Sequence, residues 1–473
     1  MENRYEVVIV GAGLAGLAAA DVLAHRGLSV LVVDENPHSG GQLLRTSPGK
    51  KKFSPDGMKK RGLALVNAVK QYGSDAKSGI ELVSQAQVMG IFKENSGYSL
   101  QILDGGKIHE PRCESILLAT GARERYLPFK GWTLPGVISL GAAQILMKGS
   151  GVLPAASTLI AGTSPLQMAL AAEILSNGGR VSAILDENPR RESLNFLPLL
   201  LGRGAVTHWA KALEGAWYTA RLSRVPHHYR RRIKEALGDG ELEAVVTVKT
   251  DAQGRAIAGT EKTYATRALA VGCGFVPNGE LAVQAGCRMV YGAGGWVLDG
   301  DDRLESSCPG IFGAGEITGV AGGKKSFIEG RLAGLSLVER LGAYGAGEKL
   351  ELNWEQRRLI RARRVQEDYG RFLNRLCRLP RAAWAEIPDS TVICRCEGVT
   401  MGTLRQRVAQ GFNTATALKR STRTGMGRCQ GRICSPMIQD ILGVLAPEFD
   451  LAGSHPSLRA PVKNSPIGAY LED

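Results

Sequence analysis

Four cysteines near the C-terminal end carry the sharpest chemical signal in the chain. Cys394-Arg395-Cys396 and, about thirty residues later, Cys429-Gln430-Gly431-Arg432-Ile433-Cys434 form a C-x-C…C-x₄-C set. Four thiolates are what a [2Fe–2S] centre requires, two for each iron. Zinc also takes four thiolates, but its structural sites more often draw on C-x₂₋₄-C pairs, and C-x-C is tight for it. Uncommitted cysteines are the third reading. Lys419, Arg420, Arg423, Arg428 and Arg432 surround the set in sequence. An oxidised four-thiolate cluster carries a charge of about −2, which such a basic lining offsets.

The second signal is at the other end. Val7–Val10 is a β-branched apolar run that breaks into Gly11, Gly13 and Gly16, with Leu14 and Ala15 between the last two. A helical run, Leu17–Arg26, and a second strand, Ser29–Val33, follow. In such a strand–turn–helix the glycines permit the turn, the approach of a pyrophosphate and close helix packing. The helix N-terminus favours the phosphates. Asp34, with Glu35 beside it, falls about twenty residues on, where an acid can hold ribose hydroxyls. Ser39-Gly40-Gly41-Gln42 adds a glycine turn able to pack against a nucleotide, with Gly41 and Gln42 as its contact residues.

These motifs need elements to position them. A basic loop, Lys50–Lys60, a helix, Gly62–Tyr72, and a meander, Ile80–Val83, Val88–Phe92 and Tyr98–Leu103, lead to the strand Ser115–Ala119. That strand ends in Ala119-Thr120-Gly121, and a late Cys308–Glu316 segment reads CPGIFGAGE. The GxGxxG, ATG and GAGE triplet resembles that of two-dinucleotide-binding-domain flavoproteins. The resemblance implies an FAD/NAD(P)-binding Rossmann-like α/β fold. It also implies FAD contacts from the three turns, with Gly315 and Glu316 at the ribityl chain or phosphate. Between the second and third segments, Ser157–Ala161, Met168–Asn177 and Arg180–Leu185 repeat the opening architecture and end in Asp186. Its turn keeps Gly162 but has Ser164 and Gln167 where the other two glycines belong, so NAD(P) binding is disfavoured there.

The remaining cysteines, Cys113, Cys273, Cys287, Cys308 and Cys377, are scattered singly and read as small buried apolar residues. No CxxC or CxxxxC pair stands near the nucleotide turns, which disfavours thiol–disulfide chemistry. His227-His228, in the basic stretch Arg221–Arg232, reads as a solvated face, and His208 as a polar surface residue. No general-base constellation emerges, so no catalytic residue is assigned. Met401–Gly411 and Pro436–Val444 read as short helices, which sets both C-terminal cysteine pairs on loops at helix starts.

The segment holding Arg395-Cys396-Glu397 and Thr424–Gly431 is similar to the BFD-like [2Fe–2S] domain, mostly α-helical. Taken together, the flavoprotein fold and this domain resemble the alpha subunits of heteromeric FAD-dependent amino-acid and opine dehydrogenases. The resemblance covers nearly all of Met1–Leu442 and the tail Arg459–Gly468. It implies FAD and a [2Fe–2S] cluster held by Cys394, Cys396, Cys429 and Cys434. It implies a second flavoprotein (beta) subunit that oxidises the amino acid, and, as a further partner, a small ferredoxin-like chain. The alternatives are an NAD(P)H-dependent reductase and a non-catalytic assembly subunit. The expected division is a discontinuous FAD domain (1–140 and 265–345) around an inserted Rossmann-like unit (141–264). A helical basic linker (346–388), the BFD-like domain (389–446) and an extended tail (447–473) follow.

Totals agree with this division. A chain of 473 residues, 44% hydrophobic with 60 glycines, fits several α/β units rich in strand-to-helix turns. Its net charge of +14 gathers around Arg357–Arg381 and Arg395–Arg432. No nucleic-acid recognition module accompanies that charge. The sequence shows no signal peptide and no apolar run of membrane-spanning length. Nine cysteines, an odd number, do not suggest a disulfide framework. The expected setting is cytoplasmic, or peripheral to a membrane through partners.

Overall fold

A computed structural model describes residues 1–473 except 2, 46–56, 76–78, 293, 346, 449–456 and 472–473. Most of the expected basic loop, Lys50–Asp56, lies outside the described residues. The fold begins with β1 (Arg4–Val10), α1 (Leu14–Ala24), β2 (Val30–Asp34), α2 (Met58–Ser74) and β3 (Ile80–Ser84). The meander strands β4 (Gln87–Lys93) and β5 (Tyr98–Asp104) lead into β6 (Arg112–Leu118). Strand order is β3-β2-β1-β6-β5-β4, parallel across the first four, and the returning strand Ile311–Gly313 pairs with β6. Because β1 and β2 are covered on both faces, Val7–Ile9 and Val30–Val32 are fully buried, the pattern of a parallel sheet sealed by helices.

A second parallel sheet holds β7 (Ser157–Gly162), α3 (Leu166–Ser176), β8 (Arg180–Asp186), α4 (Ala205–Arg221), β9 (His227–Tyr229) and β10 (Leu269–Gly272). Its order is β9-β8-β7-β10, continued by Val137–Ser139. Two readings fail in this region. His227 pairs in β9 beside Ile184 and its ring stacks on Tyr229 at 4.3 Å, so it is half-buried and not on a solvated face. His208 is fully buried, with Phe196 edge-on at 6.1 Å, and burial lowers its pKa. The cause is α4, which the charged sequence around it obscured. This helix turns His208 inward and leaves Val206, Trp209, Leu213 and Trp217 exposed.

Two long helices, α5 (Gly323–Arg340) and α6 (Lys349–Leu376), pack together behind the first sheet, and α5 also lies along α1. The C-terminal unit opens with a two-stranded hairpin, β11 (Val392–Cys394) and β12 (Val399–Thr400). Helices α7 (Met401–Ala409), α8 (Ala415–Thr422) and α9 (Cys434–Leu445) complete it. Its core is continuous with that of the second sheet: Leu159, Leu185 and Ile233 join Ile393, Met437 and Ile441 in one apolar cluster. Among the described residues no helix is long and apolar enough to cross a membrane.

Candidate functional site

A cavity of about 1120 Å³ opens above the C-terminal ends of β1 and β2. The three expected turns line it: Gly11, Gly13, Leu14 and Ala15 from the first, Ala119–Gly121 from the second, Gly315 and Glu316 from the third. Asp34, Glu35, Gly41 and Gln42 join them, and Gly16 is the one nucleotide-site residue of the sequence reading that does not. The reason is packing. A Cβ on Gly16 would meet the Gly11 carbonyl oxygen at 1.9 Å, and one on Gly11 (φ +108°) would meet that of Ala119 at 2.4 Å. At Gly13 a Cβ would meet nothing within 4 Å and would fill cavity instead. That open cradle at a helix N-terminus is where a pyrophosphate fits.

The acids are already engaged by protein donors. One Asp34 oxygen accepts from the Ala12 backbone N–H at 2.6 Å, and the other from the Asn36 N–H at 2.7 Å. Glu35 pairs with Lys463 of the tail. Glu316 accepts from the Gly322 N–H at 2.8 Å, and burial raises its pKa. Behind Gly315 lies a buried ionic group that sequence reasoning missed. Glu329, fully buried, accepts from Lys325 Nζ at 2.8 Å, Arg363 Nε at 3.0 Å and the Gly315 N–H at 2.8 Å. Lys325 Nζ also donates to the Gly315 carbonyl at 2.9 Å. Both polar groups of this turn are thereby fixed by a charge pair. The i,i+4 spacing of Lys325 and Glu329 in the helix was the available clue.

At the second nucleotide turn, Ser164 and Gln167 are buried, as bulk in place of glycine requires. The end of α6 packs into the same crevice. Asn188 Nδ2 donates to the Leu376 carbonyl at 2.9 Å, and Thr163 Oγ1 to that of Cys377 at 3.4 Å. Cys377 lines the cavity, but burial pushes its thiol up to about 12, far from thiolate character.

The four C-terminal cysteines converge. Cys394 and Cys434 share a hydrogen bond, Cys396 and Cys429 share another, and Cys394 interacts with Cys396 as Cys434 does with Cys429. Among the described residues, no three His, Cys, Asp or Glu side chains gather closely enough to hold one ion. A ring of pairs is the arrangement a two-iron centre asks of four thiols. The hydrogen bond with Cys434 lowers the Cys394 thiol to about 6, and backbone N–H groups of Gly425, Glu397 and Cys396 add to it. The same bond, with burial, raises Cys434. Donors aimed at sulfur suit an anionic ligand. Only part of the helix-start expectation holds: Cys434 begins α9, while Cys394 ends β11 and Cys396 sits in the turn of the hairpin. The expected helix is present as α7, but the turn and second strand of the hairpin separate it from Cys396, so the first pair lies ahead of the helix start.

Arginines connect the two places. Arg432 lines the large cavity while donating to the carbonyls of Cys429 at 3.3 Å and Val462 at 3.0 Å. Its own carbonyl accepts from Arg123 Nε at 2.7 Å, and Arg123 also lines the cavity. Arg125 makes a two-pronged pair with Asp440 on α9, Nη2 donating to Oδ1 at 2.5 Å and Nε to Oδ2 at 3.2 Å, both side chains nearly buried. The tail completes the connection: Val462 N–H bonds the Met89 carbonyl at 2.8 Å, and Asn464 Nδ2 bonds that of Arg428 at 2.8 Å.

Comparison with known proteins agrees with both halves. Residues 5–333 match the pyridine nucleotide-disulphide oxidoreductase family, and residues 392–443 the BFD-like [2Fe-2S] binding domain. The chain is 34% identical to hydrogen cyanide synthase subunit HcnB of Pseudomonas aeruginosa, covering 98% of this chain and 97% of the relative. It is 29% identical to the A subunit of opine oxidase from Agrobacterium tumefaciens, over 93% and 86%. Among solved structures, L-proline dehydrogenase from P. horikoshii shares the fold with a TM-score of 0.69 at 20% identity, over 99% of this chain and 80% of that one.

Proposed function

Since the chain belongs to the pyridine nucleotide-disulphide oxidoreductase family, as an FAD-dependent oxidoreductase with a BFD-like [2Fe–2S] domain, we propose that it is the electron-relaying subunit of a heteromeric dehydrogenase. Its substrate class is an amino acid or opine, oxidised on a partner flavoprotein. The observation that carries this reading is Arg432: one side chain that belongs to the Cys429–Cys434 loop and also forms wall of the flavin cavity.

Bound in the two sites, FAD would exchange electrons in pairs or singly, and the cluster would take them one at a time. The chain's own residues do the positioning. Gly13 leaves room for the pyrophosphate, Glu329 and Lys325 fix the Gly315 peptide at the cavity wall, and Arg123 and Arg432 tie the cysteine loop to that wall. The Arg125–Asp440 pair fastens α9 to the segment that follows the Ala119–Gly121 turn. The cavity reaches the second nucleotide turn, but Ser164 and Gln167 put side chains where two glycines would admit a pyrophosphate, which argues against reduction by NAD(P)H. The exposed stripe Val206, Trp209, Leu213 and Trp217 supports a partner chain, because an apolar helix face with two tryptophans is what an interface covers. Trp217 also lines the cavity, so the stripe leads to its mouth.

The test is Cys429→Ser, assayed with the partner flavoprotein. Iron should be lost and FAD kept, substrate should still reduce the partner's flavin, and electron output to an external acceptor should fall by at least tenfold. Unchanged output from an iron-free variant contradicts the relay.

A further inference from the structure

The ring of cysteines is not placed symmetrically between cavity and solvent. Cys394 and Cys434 are buried, Cys429 is half-buried, and Cys396 is exposed. Arg432, in the Cys429–Cys434 loop, lines the cavity, while Cys396 lies at the surface and does not line it. The surface around Cys396 is basic. Arg395 precedes it, exposed, with its guanidinium 5.4 Å from the centre of the Trp132 ring. Gly427 packs so closely on it that an added Cβ would fall 2.3 Å from the Cys396 Cβ, which sets exposed Met426 and Arg428 beside it. Arg423, exposed, pairs at 2.8 Å with Glu397.

We propose that this rim, Arg395, Arg423 and Arg428 around Cys396 with Met426 as its apolar contact, is the electron exit, and that it docks an acidic one-electron carrier protein. The proposal rests on the relay reading above and adds its direction. Electrons enter through the Cys429–Cys434 loop and leave at Cys396. Each encounter passes one electron from the reduced cluster to the oxidised carrier, with no bond made or broken and no proton moved. Charge neutralisation alone does not need these side chains at the surface, where water screens them; a steering field for an anionic partner does. A small, basic, mostly polar rim around one apolar contact suits a transient encounter of the kind electron carriers make.

The experiment measures binding of an oxidised plant-type [2Fe–2S] ferredoxin, an acidic carrier, to the purified holo-chain by titration at low and at high salt. Cationic cytochrome c is the control. Wild type should bind the ferredoxin with an affinity that falls as salt rises, and should bind cytochrome c at least tenfold more weakly. Arg395→Glu with Arg428→Glu should weaken ferredoxin binding at least tenfold, and the Lys pair should restore most of it. Binding is expressed per intact cluster, from the iron and sulfide content of each variant, so that any loss of cluster is separated from loss of docking. Unchanged ferredoxin binding in the charge-reversed chain, or preference for cytochrome c, overturns the exit surface while an intact cluster signal leaves the relay reading standing. Absence of a cluster signal in wild type overturns both.

Discussion

Gly13 and Gly16 stand three residues apart and separate binding from folding. Gly13 has extended backbone, φ −78° and ψ −173°, and open space where a side chain would go. Gly13→Val should therefore fold normally and lose FAD, read as flavin absorbance per chain after gel filtration; full occupancy would remove the assignment of this turn. Gly16→Val should fail earlier, because its side chain must displace the Gly11 carbonyl, at a cost of roughly 3 kcal/mol or more. The glycine pattern was legible in the sequence because each glycine answers a local steric demand. Glu329 and Arg363 were not, since they meet across two helices 34 residues apart and no local pattern foretells that contact.

Among the elements, α9 does most to attach the cysteine unit. It supplies Cys434 at its start, Met437 and Ile441 to the shared core, and Asp440 to Arg125. Removing one partner of a buried pair strands the other charge, at about 3–5 kcal/mol. Asp440→Ala should thus lower the unfolding midpoint in denaturant and expose the α6–β11 connection to protease before the flavin sheet unfolds. Arg125→Leu with Asp440→Leu should recover much of the loss; equal sensitivity of single and double variants would show that the pair does not hold the unit. The strands and first helices were readable from apolar runs and turn residues. Strand β9 and helix α4 were not: His227 and His208 are polar residues turned inward, while α4 turns leucine and tryptophan outward, the reverse of the usual pattern.

Across the whole molecule, that outward face and the cavity it leads to define where electrons should arrive. Val206→Glu with Leu213→Glu should release the partner flavoprotein during co-purification and leave FAD and iron contents unchanged. Retained partner, or wild-type chain binding anionic lipid vesicles through this face, would contradict the assignment. The relation between cavity, Arg432 and cysteine ring was beyond the sequence, because it depends on how a tail and two loops from distant parts of the chain meet. The cysteine set itself was plain, since C-x-C and C-x₄-C are local spacings. The central claim is that these four thiols hold a redox cluster within reach of the flavin. The most direct measurement is iron, labile sulfide and zinc content of the anaerobically purified chain, with low-temperature EPR as limiting dithionite is added. About two irons and two sulfides per chain, little zinc, and a rhombic signal that grows together with flavin bleaching are the predicted result. Stoichiometric zinc, with no sulfide and no signal, would contradict it and leave a structural metal site in place of a relay.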